Sequence, residues 1–200
     1  MVIIGLTGGI ASGKSTITKE LRRYGLPVYD ADEEARLAVA KGSPALEQVA
    51  ACFGREYLTA EGELNRPRVA ELVFNDKAAL KQLEQIIHGI VWSKAEAFMA
   101  ECRTRGEKAC VLDVPLLIET GWHEHVNQLW LVAITREQQI ERAMLRSGMT
   151  RQEVEARIDA QMSLEAKKSY ANVIIDNGGS LESTISQVHM LLQNLGYQVE

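Results

Sequence analysis

The sequence predicts an α/β domain, a parallel β-sheet flanked by helices with a helical insertion. Three observations predict it. The short aliphatic runs Val2–Leu6, Ala109–Asp113, Gln128–Ile134 and Val173–Ile175 have the composition of strands buried on both faces. Segments of helical period separate them, the order that a parallel sheet needs because each strand must be reached by a crossover. The first run also passes through a glycine-rich turn straight into an amphipathic helix.

That turn reads Gly8-Gly9-Ile10-Ala11-Ser12-Gly13-Lys14-Ser15, the pattern Gly-x-x-x-x-Gly-Lys-Ser of a phosphate-binding loop. Gly8 and Gly13 accept positive φ and a close backbone approach, so that successive N–H groups turn toward a di- or triphosphate. A helix opening near Lys14 adds free N–H groups and its dipole. Lys14 can reach the β- and γ-phosphates, and the Ser15 hydroxyl can ligate a bridging Mg²⁺. The expected nucleotide-binding residues are therefore Gly8, Gly9, Ile10, Ala11, Ser12, Gly13, Lys14, Ser15 and Thr16. Ile17, Leu21 and Tyr24 continue at helical spacing until Gly25 ends the helix.

Leu26–Tyr29 is a second, short strand running into Asp30-Ala31-Asp32-Glu33. Two carboxylates at a strand's carboxyl end lie where open α/β sheets place ligands. Asp30 with Glu33 also has the spacing of a capping box, so Asp30 reads equally as a helix cap or a site residue. Asp32 is favoured for a catalytic or metal-related role. Pro44–Phe53 is helical, Gly54–Glu63 is a polar connection, and Pro67 to about Gly106 is helical almost throughout. A helical block of that length between two strands exceeds a simple crossover and reads as an inserted subdomain forming a wall of a substrate cleft.

Ala109–Asp113 ends in an acid at a strand terminus, where Asp113 can hold Mg²⁺ through water or position the acceptor. Thr135 with Gln138, and Thr150 with Glu153, have capping-box spacing for two helices flanking Ser147-Gly148. Arg142 and Arg146 share a helix face and suggest a lid that closes cations over the phosphates, whereas Arg151, among many acids, reads as a salt-bridged surface residue. The last strand ends in Asp176-Asn177-Gly178-Gly179, followed by a helix from about Leu181 to Leu195. The expected division is a nucleotide-binding core at 1–42, 109–135 and 171–200, a helical subdomain at 43–108 and a lid at 136–170.

The chain has 200 residues, 46% apolar and 24% charged, which fits a single globular chain able to bury a real core. A net charge of -5 supplies no general attraction to nucleic acid or anionic membrane, which leaves a small molecule as the expected partner. Cys52, Cys102 and Cys110 are odd in number and widely spaced, and read as reduced, mostly buried thiols. His123 and His125 read as a solvated loop rather than a zinc site. No segment has the length of a membrane span or the pattern of a leader, so a cytoplasmic protein is expected.

Two classes of function use such a loop, a small-molecule kinase and a nucleotide-gated switch. The guanine-reading Asn-Lys-x-Asp motif of GTPase switches does not occur, and the helical insertion, the acids after the second strand and the late arginine pair favour the kinase. In its ordered set of motifs the chain resembles the dephospho-coenzyme A kinase family over nearly its whole length. The set comprises Gly5 through Ser15, Asp30-Ala31-Asp32, Leu64-Asn65-Arg66, Asp113-Val114-Pro115-Leu116-Leu117 with Glu119, Arg142 and Arg146, Arg157 with Gln161, and Val173 through Gly178.

The resemblance implies a P-loop kinase fold with a helical substrate domain and a lid. It also implies transfer of the γ-phosphate of ATP, with Mg²⁺, to the ribose 3′-hydroxyl of dephospho-coenzyme A. By position, Asp32 becomes the base, Lys14 and Arg142 the catalytic cations, and Arg146 and Asn177 contacts on the nucleotide side. Arg66, His88, Asp113 and Leu116 become substrate-side residues. The family usually has proline after the insertion's histidine; here Gly89 follows His88.

Overall fold

The computed structural model describes residues 1–199. Five strands, β1 (Val2–Gly8), β2 (Val28–Asp30), β3 (Ala109–Asp113), β4 (Gln128–Ala133) and β5 (Val173–Asp176), form one sheet in the order β2-β3-β1-β4-β5. All four pairings are parallel. β1 and its loop thus lie at the centre, with Asp113 opposite Leu6 on one side and Trp130 opposite Leu6 on the other.

Helix α1 (Lys14–Arg23) follows the loop, and its closing turn shows why Gly25 ends it: Gly25 has φ +79°, and the Leu26 N–H returns to the Leu21 carbonyl at 3.1 Å. One sheet face buries Ile4, Leu6, Val111, Trp130, Val132 and Ile175 against Ile17 and Leu21 of α1 and Val188 and Leu192 of α9 (Leu181–Asn194). Each such side chain contributes about 1.5–3 kcal/mol on burial. On the other face Gly5 lies beneath Leu117 and Val126, and a Cβ there would meet Leu117 Cδ2 at 2.5 Å.

Between β4 and β5 run α6 (Arg136–Ser147), α7 (Arg151–Asp159) and the short α8 (Leu164–Lys168). Both expected capping boxes are formed, Thr135 with Gln138 and Thr150 with Glu153. Gly148 closes α6 in the left-handed region at φ +66°. Ile140, Ala143 and Val154 bury a small core against Ile10 and Ala11, so α6 and α7 pack on the tip of the phosphate loop. Arg151 makes paired contacts of 2.8 and 2.7 Å to Glu137 and one of 2.9 Å to Glu155, a surface ion-pair cluster.

The chain divides into two compact units, Ala31–Phe98 and the remainder. The second helix, α2 (Ala31–Ala38), groups with the helical unit, and the segment 136–170 groups with the sheet. The helical unit further contains α3 (Pro44–Phe53), capped by Ser43 Oγ on the Leu46 N–H at 3.1 Å, and α4 (Arg66–Asn75), capped by Asn65. Val39, Ala45 and Leu46 form its core with Leu58, Leu64, Ile86, Ile87 and Ile90. The long α5 (Lys77–Thr104) runs unbroken through His88 and Gly89, since glycine, unlike proline, keeps its N–H in the helical ladder.

Three expectations need correction. β5 is an edge strand, and Ile174 is 46% exposed because its side chain stands on the sheet face opposite to that of the fully buried Ile175. Cys52 is exposed on α3, and only Cys102 and Cys110 are buried. β4 ends at Ala133, since Ile134 leads into the Thr135 cap. Burial pushes the Cys110 thiol up to about 12 and raises Cys102 as well. Among the described residues no helix is long and apolar enough to cross a membrane.

Candidate active site

The site is built from the carboxyl ends of β1, β2 and β3 and the amino end of α1. Gly13 stands before α1 at φ +89°, where an L side chain is strained and a Cβ would collide with the Asn177 amide. A Cβ at Gly9 would collide with Gln139 Nε2, and one at Gly8 would come within 2.8 Å of the Val132 carbonyl. Ala11 alone among non-glycine residues described has positive φ, at 55°. The loop is thus shaped to bring backbone close to a ligand.

Donors for an anion are present as well. α1 has no side-chain cap and no acid in its first turn, whereas α3, α4, α6, α7, α8 and α9 are each capped by a side-chain oxygen. The Thr16 N–H turns back to the Gly13 carbonyl at 3.0 Å, and no side-chain oxygen or acid of the first turn competes for the Lys14 and Ser15 N–H groups or the positive end of the dipole. The Ser12 hydroxyl, 2% exposed, has no hydrogen-bond partner. An orphaned buried hydroxyl within a cradle of N–H groups fits a phosphate group.

Lys14 Nζ lies 2.6 Å from Asp113 Oδ1, and Thr18 Oγ1 donates to Asp113 Oδ2 at 2.8 Å. Asp113 is 5% exposed, so both oxygens of its carboxylate are held by α1. Asp30 is its neighbour across the β2–β3 pairing. Ser15, Thr18, Lys19 and Arg22 of α1 line a cavity of about 190 Å³ with Asp30 and Asp113.

On the opposite side of β1, three side chains tie the loop to the segments after β4 and β5. The Asn177 amide donates to the Ser12 carbonyl at 2.7 Å while its Oδ1 accepts from Thr184 Oγ1 at 2.9 Å. Arg142 donates to the Asn177 carbonyl at 3.0 Å, and its guanidinium approaches the Cβ position of Gly13 at 4.0 Å. Gln139 Nε2 donates to the Ile10 carbonyl at 3.1 Å.

Sequence reasoning missed Gln139, although its spacing of three from Arg142 puts the two on one helix face. Arg146, expected beside Arg142, is exposed and has no ion-pair partner among the described residues. Leu116 is 38% exposed after β3. Asp32, Arg66 and His88 are presented by the helical unit, all exposed, on α2, α4 and α5.

A family model described as Dephospho-CoA kinase matches residues 2–183. This chain belongs to the dephospho-CoA kinase family. A curated Dephospho-CoA kinase of Shouchella clausii is 43% identical over 98% of this chain and 99% of its own length. A Thermus thermophilus crystal structure is 38% identical with a TM-score of 0.83, covering 97% of each chain. The Dephospho-CoA kinase structure from Campylobacter jejuni gives 26% identity and a TM-score of 0.74 over 96% of each chain. Dephospho-CoA kinase relatives thus span both units, the helical insertion as well as the sheet.

Proposed function

We propose that this chain phosphorylates the ribose 3′-hydroxyl of dephospho-coenzyme A with ATP, giving coenzyme A and ADP in the last step of coenzyme A synthesis. The carrying observation is the Lys14–Asp113–Thr18 constellation behind a glycine cradle whose Ser12 hydroxyl is orphaned.

In this reading the loop amides from Gly8 to Thr16 bind the β- and γ-phosphates, and Lys14 exchanges Asp113 for the phosphate oxygens. Arg142 stabilises the charge that spreads over the transferred group, and Asn177 holds the nucleotide side of the loop. The Asp32 carboxylate accepts the proton of the 3′-hydroxyl as its oxygen bonds to phosphorus and the bridging oxygen leaves with ADP. Arg66, His88 and Leu116 belong to the acceptor side, with Arg146 joining the lid segment 136–170 on closure. Phosphoryl transfer has a loose transition state, so positioning and charge stabilisation outweigh proton abstraction.

The Ser15 hydroxyl and the Asp113 carboxylate, the latter through water, form an oxygen donor set suited to Mg²⁺. Bound there, the ion neutralises phosphate charge. The reading carries a cytoplasmic location with it.

ADP formation should be followed with ATP and Mg²⁺ in parallel with dephospho-coenzyme A, AMP or no acceptor, using Lys14→Ala as the blank. Turnover that requires dephospho-coenzyme A and yields coenzyme A is the expected result. Turnover with AMP alone would replace the acceptor, and hydrolysis indifferent to acceptor would revive a nucleotide switch.

A further inference from the structure

The turn after β3 is backed by a buried cation. Lys167 of α8 is 1% exposed. Its ammonium lies 2.9 Å from Glu119 Oε1 and 3.4 Å from the Pro115 carbonyl. Glu119 Oε1 also accepts the Met162 N–H at 3.2 Å, in the link between α7 and α8. The Pro115 carbonyl accepts a second bond, 2.9 Å from Thr7 Oγ1, and Thr7 is fully buried in β1 directly before Gly8. The Val114 N–H bonds the Leu6 carbonyl at 3.0 Å.

Withdrawing an ammonium from water is costly, and a well-packed apolar side chain of like size is often at least as stable in such a place. Stability therefore does not explain a lysine here. Its directed donors do what an apolar side chain cannot, by holding a carboxylate and a carbonyl of one turn at fixed positions. That turn follows directly from Asp113, two residues before Pro115, and Asp113 holds Lys14 at 2.6 Å. Misplacing a reacting group by about 1 Å can lower a rate about 10²-fold.

We propose that Lys167 and Glu119 are positioning residues for phosphoryl transfer. Their ion pair clamps the Pro115–Glu119 turn to β1, which keeps Asp113 and Lys14 in register with the phosphate loop. It also pins Met162, where the segment carrying Arg142 returns toward the sheet. Neither side chain touches the reacting atoms, and the assignment rests on the kinase reading above.

The test compares Lys167→Met, Glu119→Gln and the double variant Lys167→Met/Glu119→Leu with the unaltered chain, each well below its Tm. Lys167→Met should lose about 10-fold to 10²-fold in kcat with KM for ATP changed less than about 3-fold. Glu119→Gln, which keeps its hydrogen bonds, should lose less. The double variant should lose no more than Lys167→Met, since the two residues act as one unit. Should Lys167→Met not fold, the double variant, which leaves no unpaired charge, carries the comparison.

Hydrogen exchange should accelerate at residues 6–16 and 113–119 and stay unchanged at 181–194. A folded double variant with unaltered kcat, or exchange accelerated evenly over the chain, would overturn the clamp. An unaltered chain inactive toward dephospho-coenzyme A would instead overturn the kinase reading, and the exchange pattern would still judge the clamp.

Discussion

The phosphate-loop end of the sheet and the helical unit differ in how deeply they bury their proposed functional groups. Around the loop most of the polar side chains are pinned, Lys14 and Thr18 to Asp113, Asn177 to Ser12, Gln139 to Ile10 and Arg142 to Asn177, while the Ser12 hydroxyl is left for a ligand. In the helical unit Asp32, Arg66 and His88 are exposed side chains on three helices. Groups set in place before the ligand arrives spend little of their interaction on ordering, and act on the transition state. Exposed long side chains lose rotamer freedom when they engage, so their contribution to binding is smaller. Under the proposed function, the difference in burial teaches that the groups around the loop are already in place to act on the transition state.

Substitutions at the loop should therefore lower kcat, and those of helical-unit residues that only bind the acceptor should raise KM. The largest effect is expected at Lys14→Ala and Arg142→Ala, each lowering kcat about 10³-fold or more. Retention of turnover within about tenfold at either position would break the contrast. Asp32→Asn sharpens it, because a proposed base in the helical unit should lower kcat about 10²-fold without altering Tm. Near-normal turnover with a lowered Tm would make Asp32 an ordinary first-turn acid. Arg66→Ala should raise KM for dephospho-coenzyme A about tenfold, the worth of one charge-assisted hydrogen bond, with kcat little changed.

Two smaller effects concern what holds the loop and the helices beside it. Ala11→Gly relieves a left-handed alanine, offset by added unfolded-state entropy, and should raise Tm by about 1–2 °C in a thermal melt. The α6–α7 surface supplies the pH dependence. Bonds from Arg151 and from Thr150 lower the carboxyls of Glu137 and Glu153, and Arg136 lowers Asp159. Each carboxyl lowered in the fold stabilises fully above its unfolded value, and that share is lost as pH falls through the folded one. Melts should show this loss below about pH 4, and because all three are exposed it should be small and diminished by salt.

Much of the site was legible because its chemistry is local. The eight residues from Gly8 to Ser15 need a strand before and a helix after, and both can be read from neighbouring residues. Thr135 and Thr150 cap helices that start at the next residue, with their capping-box partners three residues away. Gln139 and Lys167 were not legible. Each acts across 129 and 52 residues of chain, and a lone glutamine or lysine on a helix carries no periodic signal of its partner. Cys52 was misread for a related reason, since a thiol's burial depends on which face of α3 meets the rest of the helical core.

The sequence by itself determined a parallel α/β kinase with a phosphate loop, because strand composition, turn chemistry and helix caps are decided by residues adjacent in the chain. Only the tertiary structure decided the strand order β2-β3-β1-β4-β5, which sets Asp113 on one side of the loop and Asn177 on the other. It also decided that Lys167 is buried against Glu119 rather than solvated. Contacts between distant segments depend on how the whole core closes, and no local pattern encodes that closure.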